Sequence, residues 1–200
     1  MNKKGFTLVE VIISITIFIL VIITVSLFQF NVINHSNSSQ ISLSNIYESE
    51  AILKTMIKEM RTMKSSANGS YPILNVATST ITFYSDSDGN GIIEQIRYYL
   101  STTTLYRGKT DPSGTPATYN INNESKKILV TGVRNDSNFP IFEYYSSVYA
   151  GTSTSMTYPI DIKSVRLIKI NLTIDSDPNK SPVPITFTSQ TSLRNLKDNQ

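Results

Sequence analysis

The chain has 200 residues, 40% of them hydrophobic and 16% charged, which suits one folded domain with an appendage. Its formal charge of +3 leaves no nucleic-acid footprint, because Lys3 and Lys4 supply two of the charges and the other basic residues are scattered among acids. Cysteine is absent, which excludes disulfides and thiol chemistry and leaves the fold to be held by packing.

The chain opens Met1-Asn2-Lys3-Lys4-Gly5-Phe6-Thr7-Leu8-Val9-Glu10 and then runs from Val11 to Phe28 without a charge. Only Ser14, Thr16, Thr24 and Ser26 are polar there, and their hydroxyls can bond back to their own helix. At 1.5 Å rise, about eighteen helical residues cover roughly 27 Å, close to the hydrocarbon thickness of a bilayer. A cleavable secretory signal would be followed by small residues, but Phe28-Gln29-Phe30-Asn31 follows here. A plain anchor explains the length and the flanking lysines and leaves Glu10 unexplained. An ionisable residue at the lip of a spanning segment calls for a nameable partner. Cleavage between Gly5 and Phe6 would create one, an α-ammonium about one helical turn before Glu10.

The string Lys3-Lys4-Gly5-Phe6-Thr7-Leu8-Val9-Glu10, followed at once by the apolar helix, resembles the leader and processing site of type IV pilins and type II secretion pseudopilins. The resemblance implies that prepilin peptidase cuts after Gly5, that Phe6 becomes an N-methylated first residue, and that Glu10 sets register against a neighbouring subunit. It also implies further partners: other pilin or pseudopilin subunits, an assembly platform protein in the cytoplasmic membrane, and membrane lipid before assembly. Lys3 and Lys4 keep the amino terminus cytoplasmic by the positive-inside rule, so the chain beyond about Phe30 is expected outside.

Residues 31–42 are dense in Asn and Ser, which weaken a helix; they read as a frayed or kinked continuation or as a compliant joint. From Leu43 the pattern is helical again, with Leu43, Ile46, Tyr47, Leu53, Met56, Ile57, Met60 and Met63 in one stripe broken at Glu50. Glu48, Lys54, Lys58, Glu59 and Arg61 fall on other faces. A Met-rich stripe of this kind reads as the face on which a sheet packs. The helix is expected to stop near Ser65–Ser70, with Gly69 as its cap.

Beyond Pro72 the period changes to that of strands, expected at 79–85, 92–100, 105–108, 127–133, 141–146, 164–174 and 185–193. The alternation Arg166, Ile168, Ile170, Leu172, Ile174 marks the clearest half-buried strand. Residues 109–125 and 150–159 read as loops. The resulting class is α+β: a long N-terminal hydrophobic helix packed at its C-terminal half on an antiparallel sheet. The divisions expected are 1–5 leader, 6–30 spanning helix, 31–65 stem continuation and 66–200 head. Ile81-Thr82-Phe83-Tyr84, Glu94-Gln95-Ile96-Arg97-Tyr98-Tyr99-Leu100 and Thr191-Ser192-Leu193-Arg194-Asn195 resemble J-type pseudopilins and W-type minor pilins.

Candidate chemistry is sparse. Asp86-Ser87-Asp88-Gly89-Asn90-Gly91 satisfies the first half of a calcium loop, with oxygens at positions one, three and five and glycine at six. The twelfth position, where a bidentate Glu belongs, is Arg97, although Glu94 could supply an oxygen. A tight hairpin selects the same residues for backbone reasons, and the turn is the simpler reading. No other cofactor is expected. His35 is the only histidine, and no phosphate loop or nucleophile elbow is present, so an enzyme is not expected. Tyr144, Tyr145, Tyr149 and Tyr158, near Lys163, Arg166 and Lys169, could stack on DNA bases if the chain serves DNA uptake. The reading as a whole is a minor pilin or pseudopilin at or near a filament tip, anchored in the cell membrane and then displayed at the surface. The alternative is an anchored binding module that never polymerises.

Overall fold

The computed structural model describes Gly5, Thr7–Asp175 and Val183–Leu193, with backbone alone at residue 31 and residues 33–45. Met1–Lys4, Phe6, Arg194, Asn195 and the side chains of His35 and Leu43 lie outside the described residues. The chain divides into two compact units, Met1–Ser44 and Asn45–Gln200.

Helix α1 spans Leu8–Arg61. Within the first unit, Leu8–Phe30 is a 23-residue stretch long and apolar enough to cross a membrane, and none of it is buried inside the chain. Its hydroxyls turn inward as expected: Ser14 Oγ donates to the Glu10 carbonyl at 2.7 Å, Thr16 Oγ1 to Ile12 at 2.9 Å and Ser26 Oγ to Ile22 at 2.8 Å. Such bonds remove the cost of placing a hydroxyl in an apolar medium. The helical backbone continues through residues 31–42 despite their composition.

In the second unit, the last turns of α1 bury Ser49, Leu53, Met56, Ile57, Met60 and Met63. The stripe therefore passes through Ser49, and Glu50 is exposed, so the expected break at Glu50 is no break. Tyr47 is also off the stripe, 72% exposed. The helix ends at Arg61, before the Ser65–Ser70 stop read from sequence. Its last turn tightens, with Thr62 N donating to Glu59 O and Met63 N to Met60 O. Met63 then pairs with Ser85, and Lys64 N donates to Tyr84 O, so sheet bonds replace further helix. Gly69, at φ +83°, serves the turn 66–69 rather than a helix cap.

Eight strands follow: β1 Ile73–Val76, β2 Thr80–Ser85, β3 Glu94–Ser101, β4 Thr104–Thr110, β5 Ser125–Val130, β6 Phe142–Tyr145, β7 Leu167–Ile174 and β8 Ile185–Ser192. They form two antiparallel sheets, β1-β2-β3-β4-β5 and β6-β7-β8, where the sequence suggested one. The expected strand 127–133 is broken by Gly132, at φ +76°, which sends Val133 to pair with Ile174 of β7. β1, a four-residue edge strand, was not anticipated. In β7, Ile168, Ile170, Leu172 and Ile174 are buried and the residues between them are not, matching the period-two reading. The core combines the α1 stripe with Ile81, Phe83, Ile96, Leu105, Phe142 and the β7 isoleucines. Backbone bonds tie the sheets together, including Phe142 N to Thr78 O at 3.0 Å.

The segment after β4 does more than connect. Tyr119 packs on Tyr84 with ring centroids 5.0 Å apart, and its hydroxyl accepts from Ala67 N and donates to Ile93 O. β2 is thereby buried on both faces.

Candidate functional site

Three polar assemblies stand out against this frame. At the amino-terminal end of α1, Thr7 precedes the helix and Glu10 lies in its first turn. Thr7 N and Thr7 Oγ1 donate to Glu10 Oε2 at 2.8 and 3.0 Å, and Glu10 N donates to Thr7 Oγ1 at 3.3 Å. This is a reciprocal capping box, Thr-x-x-Glu, which satisfies backbone donors at the start of the helix. Glu10 thus has a partner inside its own chain. Sequence reasoning missed it, although the signal was in plain view as Thr7-Leu8-Val9-Glu10. Gly5 is exposed, and a Cβ there would meet no atom within 4 Å. The fold of this chain does not require glycine at that position.

The second assembly lies between α1 and the five-stranded sheet. Glu59 was expected off the apolar stripe, yet its side chain is only 7% exposed. Its Oε1 accepts from Arg107 Nη2 at 2.8 Å, both oxygens accept from Arg107 Nε at 3.1 Å, and Oε2 accepts from the Tyr98 hydroxyl at 2.5 Å. A buried carboxylate needs such a fork. Burial raises the Tyr98 phenol well above its usual range, and Glu59 pushes the same way. Burial disfavours the Arg107 charge, yet the Glu59 bonds outweigh it and hold the guanidinium above its ordinary value. A parallel arrangement closes the opposite face of the sheet. Arg97 Nε and Nη2 donate to Glu124 at 2.7 and 2.6 Å, with Arg97 lying 4.2 Å above the Tyr99 ring. Gly108, the cross-strand partner of Arg97, makes room, because a Cβ there would come within 2.0 Å of Glu124 Oε1.

The third assembly is the hairpin joining β2 to β3. Gly91 N donates to Asp86 Oδ2 at 3.1 Å, Asn90 N to Asp88 Oδ1 at 3.2 Å and Ile92 N to Asn90 Oδ1 at 2.7 Å. Gly89 and Gly91 have φ of +78° and +86°, which only glycine adopts cheaply. Glu94, the first residue of β3, has no exposed side-chain area and accepts from Ser87 N at 2.8 Å. The strand alternation that might have turned it away instead turns it inward. Asp86, Asp88 and Glu94 each place a carboxylate oxygen within 4.8 Å of the others. Lys109, from β4, reaches into the group, 3.1 Å from Asp88, 3.2 Å from Glu94 and 3.4 Å from Asp111. Burial opposes its charge, but Asp88 and Glu94 win and raise the ammonium above its ordinary value. The Lys109 bond in turn holds Asp88 below the usual carboxylate range. Arg97, at the twelfth loop position, is engaged with Glu124.

The tyrosines considered for base stacking divide. Tyr144 and Tyr145 are buried in β6, 1% and 6% exposed, with the Tyr144 hydroxyl donating to Ala77 O at 3.0 Å. That removes two of the four rings from any stacking surface. Tyr149 packs on Tyr145, and Tyr158 is 47% exposed.

Residues 1–26 match the family model of the prokaryotic N-terminal methylation motif, the prepilin signal of type IV pilins and pseudopilins. No curated protein matches the chain at a significant level. The apolar span of α1 overlaps that match and antiparallel sheets follow it in the chain, an α+β fold consistent with a pilin. Residues 1–26 thus carry a prepilin-type signal, which implies processing by prepilin peptidase and assembly with other pilin subunits.

Proposed function

We propose that the chain is a minor subunit of a type IV filament system, placed at or near the tip, where it starts assembly or presents a binding surface. The observation that carries this reading is the union of the methylation motif with Leu8–Phe30, whose apolar side chains bury nothing within their own chain. Exposed aliphatic surface on that scale needs lipid, and later neighbouring helices, as its surroundings. The many-stranded head supports the minor role, being more elaborate than a bare filament-forming subunit needs. In this reading the peptidase cuts after Gly5, Phe6 is N-methylated, and Glu10 exchanges its Thr7 bonds for the new amino terminus of an adjacent subunit. An assembly platform protein extracts the subunit from the membrane, with the head outside the cell. Nucleic acid enters only if the system is one for DNA uptake.

Gly5→Ala tests the processing step without disturbing the fold, since the added methyl meets nothing. Accumulation of full-length precursor on a gel is expected, and normal maturation of that variant sinks the site assignment. The competing reading, an anchored module that never polymerises, predicts that Glu10→Ala retains full function in cells. Loss of the chain from sheared filaments in Glu10→Ala favours the filament reading.

A further inference from the structure

We propose that the pocket between the 135–139 loop and the β6-β7-β8 sheet binds a neutral saccharide, stacked on Phe139 and hydrogen-bonded to Asn138, Glu143 and Lys169. The pocket has a volume of about 220 Å³. From β7 it takes Lys169, Asn171 and Thr173, which alternate with the buried residues of that strand. Cross-strand pairing sets Glu143 of β6 opposite Lys169, and Thr186 of β8 opposite Thr173. Phe139 also lines the pocket, yet it is 72% exposed. A solvated sheet face carries the same polar side chains, but it does not set an exposed phenyl ring on a fixed loop beside them. Here Asp136 Oδ1 accepts from Asn138 N at 2.8 Å and from Phe139 N at 2.9 Å. Asn135 Nδ2 donates to Phe139 O and Asn171 O, both at 3.0 Å, and its Oδ1 accepts from Thr173 N at 2.9 Å. The loop is thereby clamped to β7, and its backbone has little conformational freedom left to lose when a ligand arrives.

The polar groups choose the class of ligand. Lys169 Nζ at 3.0 Å, Asn171 Nδ2 at 3.0 Å and the Tyr145 hydroxyl at 3.3 Å all meet Glu143 at Oε2. Oε1 is left as an acceptor among the described residues. The Lys169 ammonium has three protons and directs one at Glu143, so two remain to donate. Thr173 Oγ1 and Thr186 Oγ1 bond each other at 2.9 Å, which leaves one hydroxyl proton between them. The Asn138 side-chain amide bonds nothing among the described residues, and it can both donate and accept. The two charges lining the pocket, Glu143 and Lys169, cancel, so an ion finds no net attraction there. A neutral ligand with closely spaced groups that donate and accept in turn does find partners, and the vicinal hydroxyls of a sugar ring are such groups. The apolar C–H face of the same ring matches the exposed Phe139. At about 220 Å³ the pocket falls below the roughly 300–1,000 Å³ of sites that enclose larger ligands, and it suits a single sugar ring at the end of a longer glycan.

This gives a chemistry to the binding surface of the minor-subunit reading, and it rests on that reading only for where the glycan is met. Gly5→Ala processing tests the filament assignment, whereas saccharide binding is measured on the isolated chain, so either can fail alone. The test uses the full-length chain in lauryldimethylamine oxide, a detergent without a sugar headgroup that would compete. Lactose, cellobiose, maltose and chitobiose are titrated by saturation-transfer NMR, with sialyllactose as the charged counterpart of lactose. Saturable binding of at least one neutral disaccharide is expected, with Kd of about 1 mM, as suits a shallow pocket. Sialyllactose should bind no tighter than lactose. Phe139→Ala should weaken binding about fivefold or more, and Asn138→Ala about threefold. Both side chains are exposed, so these variants report on the site and not on folding. Ile128→Ala, which removes an exposed apolar side chain from β5 in the other sheet, should change nothing. Absence of saturable binding by all four neutral disaccharides overturns the proposal. Binding that Phe139→Ala leaves intact, or that Ile128→Ala weakens equally, overturns it, and so does tighter binding of sialyllactose than of lactose.

Discussion

The span Leu8–Phe30 and the head unit place their polar and apolar groups in opposite senses. Along the span, large apolar side chains such as Ile12, Leu20 and Phe28 are all about half exposed or more, while the hydroxyls of Ser14, Thr16 and Ser26 fold back onto the helix. In the head, a cluster of aliphatic groups is inside, and the carboxylates of Glu59, Glu94 and Glu124 are buried as well. The difference teaches which solvent each region is built for. A span whose serine and threonine hydroxyls are self-satisfied is at home in hydrocarbon. A head that buries acids can do so only because Arg107, Lys109 and Arg97 meet them with correct geometry.

Breaking the head side of this comparison should give the largest effect. Arg107→Ala leaves Glu59 buried without its charge partner and should cost about 3–5 kcal/mol in denaturant unfolding. Adding Glu59→Met to that variant should recover much of the loss, because an apolar pair has no charge to solvate. If the single variant unfolds at the parental denaturant concentration, Glu59 is solvated and the head's core has been misread. On the span side, Ile17→Arg puts a charge near mid-helix and should disfavour insertion by about 2.5–3.5 kcal/mol. Fractionation should find less protein in the membrane, and unchanged partitioning would show that the span does not sit in lipid.

The smallest expected effect sharpens the comparison at the head's surface. Burial raises the Glu143 carboxyl, but its bonds from Lys169 and Asn171 outweigh that and leave it lowered. A lowered folded value means its stabilisation is fully present above the unfolded carboxylate value of about 4.3 and disappears as pH falls through the folded value. Partly exposed pairs of this kind contribute under about 1 kcal/mol. Glu143→Gln should therefore lower stability at neutral pH by under about 1 kcal/mol, leave it unchanged at low pH, and so flatten the acid limb of the stability profile slightly. An acid limb identical to that of the parent would show that Lys169 confers nothing.

The capping box changes how Glu10 is understood. A carboxylate in the first turn of a helix is already stabilised by Thr7, before any processing exposes an amino terminus. Its presence alone is accordingly weaker evidence for an intersubunit pair than the unpaired reading made it. The methylation motif, matched over residues 1–26, carries the assignment instead.

Sequence alone was sufficient wherever a single period or a contiguous string held the information. The apolar run Val11–Phe28, the methylation motif within residues 1–26, the alternating strand through Ile168–Ile174 and the Asp86–Gly91 turn are all of that kind. Tertiary structure alone decided that α1 stops at Arg61, that the strands divide into two sheets, and that Glu59 faces inward. It also decided that Tyr144 and Tyr145 are core residues, and that Glu94 joins Asp86 and Asp88. The physical reason is distance along the chain. Local conformation is set by neighbours a few residues away, whereas burial of a charge depends on a partner such as Arg107, which only the completed sheet delivers to Glu59.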